Sequence, residues 1–380
     1  MSLNLLLKGQ LMYLNEFYEV TAISGPGKDL EEVRDREKVK IKAIEMSREI
    51  SIFKDFNALI KLYRYFKKEK PDIVHSITPK AGLLSMIAAR LAGVPVRMHT
   101  FTGLIFPYRK GVLKFILIWM DRLLAESATH IYPEGKGVKK DLEHYRITSK
   151  PLKIIANGNV NGIDAAYFNT SQVPLFTQEN LRNSLGIKEN DFVFIFVGRL
   201  VRDKGINELV AAFKKITEEH QLNLHTKQPK LVLVGPLEQD LDPLKSETLS
   251  EIQNNPHIIS VGFQAEVRSY FAISNALVFP SYREGFPNVV LQGLAMELPA
   301  IVTNINGCNE IISRGKNGII IAVKEDVALR TAMTQVLNYN YLYDKLKSKT
   351  RSSILTYEQK IVWEALLAEY KSVEEESSKK

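Results

Sequence analysis

The sequence predicts an α/β protein with two doubly wound, Rossmann-like domains. Short β-rich runs alternate with amphipathic stretches through almost all of the 380 residues, which indicates parallel sheets with helical crossovers. That length suits two domains, because domains usually contain about 100–200 residues. One run, FVFIFV at 192–197, is apolar at every position, as expected for a strand that helices cover on both faces.

Periodicity places the individual elements. Apolar residues at helical spacing predict helices at Asp55–Lys68, Ile206–Glu219 and Asp326–Leu337, and another across residues 4–20. Short runs rich in β-branched and aromatic residues predict strands. These are Val20–Ser24, Ile73–His75, Val96–Thr100, His130–Tyr132, Lys153–Ile155, Phe192–Val197, Leu231–Val234, Ile258–Val261, Leu277–Phe279 and Ala300–Thr303.

An Asn- and Gly-rich stretch, ANGNVNGIDAAYFNTSQVP, marks the expected domain boundary. We expect an N-terminal domain at 1–160, a C-terminal domain at 161–356, and a final helix at 357–376 that packs back on the first domain. The carboxyl ends of the strands are then expected to line a cleft between the domains.

The chain opens with a predicted helix, whereas a doubly wound domain normally opens with a strand inside its sheet. The N-terminal domain is therefore predicted to lack its first strand, because either the fold differs or the chain begins late.

Charge is unevenly distributed. Residues 1–150 carry 26 Lys and Arg against 17 Asp and Glu, a net charge of +9, and the remainder carries −1. A membrane surface, a phosphate-bearing acceptor and nucleic acid could each explain the basic half, and so could an ordinary solvated surface. Nucleic acid is disfavoured, because basic and aromatic residues do not interleave in any motif that recognises nucleic acid.

The single cysteine, Cys308, excludes a disulfide framework and fits a reducing, cytoplasmic compartment.

The most apolar window, Val112–Leu124, is too short and too charged to span a bilayer. It follows the basic pair Arg109 and Lys110. A helix lying on the inner face of the cytoplasmic membrane and a buried helix both explain this pattern.

Two stretches carry candidate chemistry. In VGRLVRDKGINELVAAF, at 197–213, an apolar strand leads into a loop with Arg199 and Lys204, then a glycine and a helix. Cations beside a helix N-terminus predict a phosphate site, although a basic turn before a surface helix has the same pattern.

In SYREGFPNVVLQGLAME, at 281–297, Glu284 precedes a helix that is predicted from Asn288 to Met296, with Pro287 suited to its first turn. Glu284 and Gln292 could together bind hydroxyl groups, or could be a dipole cap and a solvated amide.

Together these stretches resemble the retaining glycosyltransferases of family 4, which have the GT-B fold. The resemblance rests on GRLVRDKG at 198–205, on residues 280–312 and on VGF at 261–263. It extends to the boundary stretch and to PDIVHSITPKAG at 71–82. Within the family, the sequence looks most similar to transferases that build bacterial capsule or O-antigen polysaccharides.

The resemblance implies roles for individual residues. Arg199 and Lys204, which follow Gly198, match the pair that holds the donor diphosphate, and Glu284 matches the glutamate that binds donor-sugar hydroxyls. In the family, a second glutamate usually binds the donor ribose at the position where this chain has Gln292. Replacing that glutamate by glutamine therefore bears on the affinity for the ribose. The remaining matches are a loop whose amides lie near sugar and phosphate, at Gly285, Phe286, Pro287 and Asn288, and a nucleobase segment at Val261, Gly262 and Phe263.

Histidines match the family less well. The family histidine stands immediately before a glycine, where this chain has Thr102, and His99 lies three residues earlier. His99 is expected to be either the corresponding catalytic residue or a buried strand residue. His75 ends another predicted strand, and nearby Lys80 could meet an acceptor phosphate or cap a helix.

The function that the resemblance implies is sugar transfer with retention, from a nucleotide donor, expected to be a UDP-sugar, to a lipid-linked or saccharide acceptor. No cofactor or metal is expected, and Asp240–Asp242 is interpreted as a surface turn without a magnesium role. The alternatives are a GT-B epimerase that acts on a UDP-sugar and a non-catalytic partner subunit.

Overall fold

The computed structural model describes residues 2–46, 51–222, 227–240 and 242–379. The chain divides into two compact units. The first comprises Met1–Gly162 together with Gln359–Lys380, and the second comprises Ile163–Glu358. In both units every strand pair is parallel, as the alternation of strands and helices predicts.

The first unit contains five strands and eight helices among its described residues. The strands are β1 (Thr21–Ser24), β2 (Lys40–Ala43), β3 (Ile73–Ser76), β4 (Val96–Phe101) and β5 (His130–Pro133). The helices are α1 (Ser2–Leu6), α2 (Gln10–Leu14), α3 (Lys28–Glu37), α4 (Ile52–Glu69), α5 (Pro79–Ala92), α6 (Gly111–Ser127), α7 (Lys136–His144) and, at the end of the chain, α17 (Gln359–Ser378). The strands form two separate sheets, with the orders β1-β2 and β3-β4-β5.

The second unit holds one six-stranded sheet of order β11-β10-β9-β6-β7-β8. Its strands are β6 (Phe192–Val197), β7 (Pro229–Val234), β8 (Ile258–Gly262), β9 (Ala276–Phe279), β10 (Ala300–Thr303) and β11 (Gly318–Ile321). Its described helices are α8 (Leu175–Ser184), α9 (Ile206–Leu222), α10 (Ser246–Asn254), α11 (Arg268–Ala272), α12 (Asn288–Ala295), α13 (Cys308–Ile311), α14 (Asp326–Asn338), α15 (Asn340–Lys347) and α16 (Thr350–Ser353).

Helix α17 belongs to the first unit and is held there by polar contacts. The Tyr132 hydroxyl on β5 donates to the Glu369 carboxylate at 3.0 Å. The Tyr370 hydroxyl lies 2.8 Å from Nδ1 of His75 on β3. These contacts join α17 to the carboxyl ends of two strands.

The predicted strand at Lys153–Ile155 is wrong. An isolated parallel bridge joins Leu152 to Ile131, and Lys153 N donates to Ile131 O at 3.4 Å, but no strand forms there. The predicted first helix is two short helices, broken around Gly9, whose φ is +82°. Two strands were not predicted, and both lie at sheet edges. β2 is short and carries exposed lysines, features that edge strands use against aggregation and that obscure a strand pattern.

Candidate active site

The strand order of the second unit places two loops side by side. From β6 the chain continues to β7 and β8 on one side of the sheet, whereas β9, β10 and β11 lie on the other side. The loops that follow the neighbouring strands β6 and β9 therefore meet at a topological switch point, where open α/β sheets bind ligands. These are the two loops that the sequence singled out.

The loop after β6 is packed closely against the loop after β9. It contains a 3₁₀ turn at Arg202–Lys204 and ends at Gly205, whose φ is +73°. A Cβ atom at Gly205 would lie 2.1 Å from the carbonyl oxygen of Pro280. Only glycine therefore fits this position, and the close approach fixes Lys204 beside the second loop.

Lys204 and Glu284 form an ion pair between the two loops. Their side chains are only 17% and 18% exposed, so solvent screens this pair less than a surface pair. Ser281, which is fully buried, donates its hydroxyl proton to Oε1 of Glu284 at 3.0 Å. The ammonium and the carboxylate are thus held in place before any ligand arrives.

Arg199, the other predicted cation, lies in the same loop but is more exposed. Its guanidinium donates to Oε2 of Glu238 at 2.9 Å, with 45% of the Arg199 side chain exposed. A phosphate group that approaches Arg199 must therefore compete with Glu238 for this guanidinium.

The base of the loop is held by carboxylates. Asp203 accepts from the Arg283 guanidinium at 2.7 Å, and its backbone N–H donates to the Asp242 carboxylate at 2.6 Å. Asp242 also pairs with Arg202 at 2.9 Å. Asp242 therefore orders the loop; Leu241, in the middle of the predicted Asp240–Asp242 turn, lies outside the described residues.

The helix after the second loop begins at Asn288, as predicted, and ends at Ala295, one residue before the predicted Met296. Pro287 precedes the helix in an extended conformation with ψ 106°. Phe286 is buried and packs beside the Tyr357 ring at a centroid distance of 5.5 Å, so its side chain belongs to the core. The α12 dipole directs its positive end towards the Gly285–Pro287 backbone.

Gly307 supports this backbone from behind. Its φ is +72°, and a Cβ atom there would lie 2.6 Å from the Gly285 carbonyl oxygen. Neighbouring Cys308 is fully buried. Burial, together with the nearby Glu284 carboxylate, raises the pKa of the Cys308 thiol well above its usual range. This thiol is consequently neutral and has no role as a nucleophile.

Gln292 lies one turn inside α12 and is half-buried. Within the described part of the chain, its side-chain amide forms no hydrogen bond, so both its donors and its acceptor are available to a ligand.

The predicted nucleobase segment, residues 261–263, lies at the end of β8 and just after it. Phe263 leaves 74% of its side chain exposed, and Gly262 accepts from the Gly235 N–H at 2.8 Å.

The histidine candidates lie in the first unit and are buried. His99 is 1% exposed on β4, with Nδ1 at 2.7 Å from the Ser76 hydroxyl. Burial lowers the pKa of His99 to about 3. His99 is therefore the buried strand residue that was one of the two expectations from the sequence, and its catalytic role stays a prediction. Burial likewise lowers the pKa of His75 to about 4, and its Nε2 lies 2.8 Å from the Thr100 hydroxyl.

Lys80 pairs with Asp55 at 2.6 Å, which joins the first turns of α5 and α4. Each of the two side chains is 18% exposed. Lys80 therefore links two helices. This arrangement differs from both alternatives that the sequence left open, which were a contact with an acceptor phosphate and a helix cap.

Several supporting residues carried no recognisable signal in the sequence. Glu238 follows β7, and it contacts Arg199. Ser281 and Arg283 both lie in the loop after β9, where they contact Glu284 and the loop residue Asp203. Their partners are 39, 3 and 80 positions away along the chain. Spacing could have suggested only the Ser281–Glu284 contact.

Comparison with known proteins identifies the family. The model for glycosyl transferases group 1 matches residues 177–353, and the model for glycosyltransferase family 4 matches residues 13–159. The capsular polysaccharide biosynthesis glycosyltransferase CapM of Staphylococcus aureus is 32% identical over 99% of this chain and 96% of its own length. The chain belongs to glycosyltransferase family 4. It is accordingly a glycosyltransferase.

A second relative and two solved structures extend the comparison. The Escherichia coli UDP-Gal:alpha-D-GlcNAc-diphosphoundecaprenol alpha-1,3-galactosyltransferase is 31% identical over 77% of this chain and 73% of its own length. Anabaena HepE, solved in complex with UDP and glucose, gives a TM-score of 0.81 at 16% identity, covering 98% of this chain and 96% of HepE. A Rickettsia africae glycosyltransferase gives 0.77 at 19% identity, covering 96% and 93%. The fold of this family 4 enzyme is GT-B.

One structural observation concerns membrane-spanning helices. Among residues 2–46, 51–222, 227–240 and 242–379, no helix is both long enough and apolar enough to cross a bilayer.

Proposed function

We propose that this family 4 glycosyltransferase transfers a sugar from a UDP-sugar, with retention of anomeric configuration, to a lipid-linked or saccharide acceptor in surface polysaccharide biosynthesis. The observation that carries the proposal is the Lys204–Glu284 pair at the switch point of the second unit. It places a cation suited to a diphosphate next to a carboxylate suited to sugar hydroxyls.

Lys204 and Arg199 would bind the donor diphosphate. When the bond to the sugar breaks, negative charge grows on the departing diphosphate oxygen. A fixed ammonium at this position stabilises that charge more in the transition state than in the ground state, because the protein need not reorganise. Glu284 keeps Lys204 in place through the ion pair, while Arg199 would exchange Glu238 for phosphate oxygen.

Glu284 and Gln292 would bind the donor's hydroxyl groups. The Ser281 hydroxyl occupies one lone pair of the Glu284 carboxylate, which leaves other acceptor positions for sugar hydroxyls. The free amide of Gln292 can donate to one ribose oxygen and accept from another hydroxyl. Gln292 keeps hydrogen-bonding capacity and adds no negative charge near the diphosphate, so this departure from the family's glutamate is compatible with donor binding.

The nucleobase would stack on Phe263. An aromatic ring that is 74% exposed beside a binding loop offers a face to a planar base. Uridine as the nucleoside is supported by the relatives, since HepE was solved with UDP and the Escherichia coli enzyme uses UDP-Gal. The latter's diphosphoundecaprenol acceptor supports a lipid-linked acceptor here.

The proposal includes no metal ion. Two cationic side chains already stand at the loop where the leaving diphosphate would develop charge, and a preorganised cation can stabilise that charge without a metal. Added chelator is therefore expected to leave the transfer rate unchanged.

A transfer assay tests this function against its alternatives. The protein is incubated with a panel of UDP-sugars and polyprenyl-diphosphate sugars, and both UDP and the glycan are analysed. A transferase releases UDP and lengthens the glycan, an epimerase alters the donor without net UDP release, and a non-catalytic subunit does neither. Only the first result supports the proposal; NMR of the new linkage then shows whether the donor configuration is retained.

We also propose that the first unit contacts an anionic membrane. The α6 residues Val112, Phe115 and Trp119 are 74%, 71% and 64% exposed, and their spacing places them on one helix face. Exposed Arg109 and Lys110 precede this face. An apolar face with a tryptophan and flanking basic residues is typical of helices that lie in a membrane interface. Ile52 and Phe53, at the start of α4, are 80% and 90% exposed.

A paired substitution tests the membrane surface. Phe115→Ser with Trp119→Ser is expected to weaken binding to phosphatidylglycerol vesicles by about tenfold, since two large apolar groups no longer enter the interface. Leu175→Ser with Phe176→Ser is the matched control, because these α8 residues are 74% and 73% exposed in the second unit. Equal vesicle binding by wild type and the α6 variant would contradict the surface assignment.

A further inference from the structure

Two ion pairs join the loop after β6 to the loop after β9 at consecutive positions. Asp203 accepts from the Arg283 guanidinium at 2.7 Å, and the next residue, Lys204, pairs with Glu284. In each pair the partners are 80 positions apart. The pairs have opposite polarity, because the loop after β6 supplies the acid to one pair and the base to the other. We call Asp203 and Arg283 the flanking pair.

The alternation of charge favours one register between the two loops. If one loop slipped by a single residue, either Asp203 would face Glu284 or Lys204 would face Arg283. Each of these alignments places like charges together, which is unfavourable, whereas the observed register pairs all four charges with opposite ones. The flanking pair therefore adds a penalty to each misaligned arrangement.

Backbone contacts hold Asp203 in the same alignment. Its carbonyl oxygen accepts from the Tyr282 N–H at 2.8 Å, and its own N–H donates to the Asp242 carboxylate at 2.6 Å. The carbonyl and carboxylate groups of Asp203 thus both contact the loop after β9. Since Lys204 follows directly in the chain, a fixed Asp203 also fixes the backbone from which the Lys204 ammonium projects.

The two pairs differ in what a bound donor requires of them. In the proposed function, Lys204 contacts the diphosphate and Glu284 contacts sugar hydroxyls, so each exchanges part of its contact for a ligand. Neither residue of the flanking pair is assigned to the donor. The flanking pair can therefore remain closed while the Lys204–Glu284 pair opens to the donor.

We propose, on the basis of that function, that Asp203 and Arg283 are positioning residues for sugar transfer. Their ion pair keeps the two loops in register while Lys204 and Glu284 contact the donor, so the ammonium stays where the departing diphosphate develops its charge. A preorganised cation acts mainly on the transition state. Loss of the flanking pair therefore lowers kcat more than it raises the KM for the UDP-sugar.

Arg283→Gln tests the proposal in the full-length protein, with the donor and acceptor that give transfer in the assay described above. We expect kcat to fall by about tenfold while the KM for the UDP-sugar changes by less than about threefold. Tm should shift by no more than about 3 °C, because a partly exposed ion pair contributes little to stability. Arg283→Lys keeps a charged donor for Asp203 and should recover most of the lost kcat.

Arg202→Gln is the matched control. Arg202 belongs to the same 3₁₀ turn and pairs with Asp242 at 2.9 Å, but this ion pair does not reach the loop after β9. The Arg202 side chain is also 64% exposed. Its replacement should leave kcat within about twofold of wild type.

A double-mutant cycle separates one shared contact from two independent effects. Asp203→Asn combined with Arg283→Gln should cost about as much kcat as either substitution alone, because each removes the same ion pair. Hydrogen exchange provides a readout that needs no substrate. In Arg283→Gln, exchange of the Tyr282 N–H, which donates to Asp203, should accelerate by about fivefold or more.

Four results would overturn the proposal. These are an unchanged kcat in Arg283→Gln, a loss of kcat that only parallels a large fall in Tm, an equal loss in Arg202→Gln, and losses that multiply in the double variant. Lys204→Ala, measured alongside, distinguishes this failure from failure of the proposed function. If Lys204→Ala also keeps wild-type transfer and UDP affinity, the donor site is wrong and the positioning role fails with it. If Lys204→Ala alone loses transfer, only the positioning role fails.

Discussion

Replacing Lys204 by alanine is expected to lower the rate of sugar transfer by about 10²–10³-fold, the usual cost of removing one preorganised group that stabilises developing negative charge. UDP affinity should fall as well, because Lys204 is the less exposed of the two cations at the loop. Arg199→Ala is expected to weaken UDP binding in the same direction. Calorimetric titration with UDP and initial-rate measurement of transfer provide the two readouts.

Lys214→Ala is the matched control for charge. Lys214 also forms an ion pair in the second unit, with Glu251 at 3.0 Å, but its side chain is 49% exposed on α9. Its removal should leave transfer and UDP affinity within about twofold of wild type, because exposed ion pairs contribute little. If Lys204→Ala and Arg199→Ala both bound UDP as wild type does, the phosphate site would be elsewhere.

Replacing Glu284 by glutamine is expected to lower transfer by about 10²-fold. The substitution keeps the side-chain shape but removes the charge that pairs with Lys204 and one acceptor for sugar hydroxyls. Because UDP carries no donor sugar, its affinity should change much less than the affinity for the UDP-sugar. A larger loss for UDP than for the UDP-sugar would contradict the assignment of Glu284 to the sugar.

Gln292 provides the complementary comparison on the same helix. Gln292→Glu restores the residue that the family usually has and should retain or improve binding of the UDP-sugar. Gln292→Ala should weaken UDP affinity by about fivefold, the effect of one or two lost hydrogen bonds. Unchanged UDP affinity in Gln292→Ala would show that Gln292 does not bind the ribose.

The sequence predicted the second unit well because its signals are local. The apolar run of β6, the glycine at 205 and the proline before α12 each determine backbone geometry within a few residues. The approximate start of α12 and the position of the cationic loop followed from them. The error of one residue at the end of α12, predicted at Met296 and observed at Ala295, reflects a helix boundary, where capping and last-turn positions look alike in a sequence.

Contacts between distant residues could not be predicted from spacing. Lys204 and Glu284 are 80 positions apart, and Arg199 and Glu238 are 39 apart. Their pairing depends on β6 lying next to β9 and β7 in the folded sheet. Lys204, Arg199 and Glu284 were each recognised, but the pairing of Lys204 with Glu284 was not, and neither was Glu238.

His99 shows a different limit. A histidine within an apolar run is compatible with a buried residue and with a residue at a strand end that faces a ligand. Burial of His99 depends on α5 packing against β4, where a Cβ atom at Gly82 would lie 2.6 Å from His99 Cε1. That close helix–strand contact has no signature in the sequence around His99.

The position of a bound donor tests the central claim most directly. A crystal structure of the protein with UDP should show the diphosphate within hydrogen-bond distance of Lys204 Nζ, the ribose near Gln292 and the uracil ring against Phe263. A diphosphate bound at any other place, with Lys204 still paired only to Glu284, would contradict the proposed donor site.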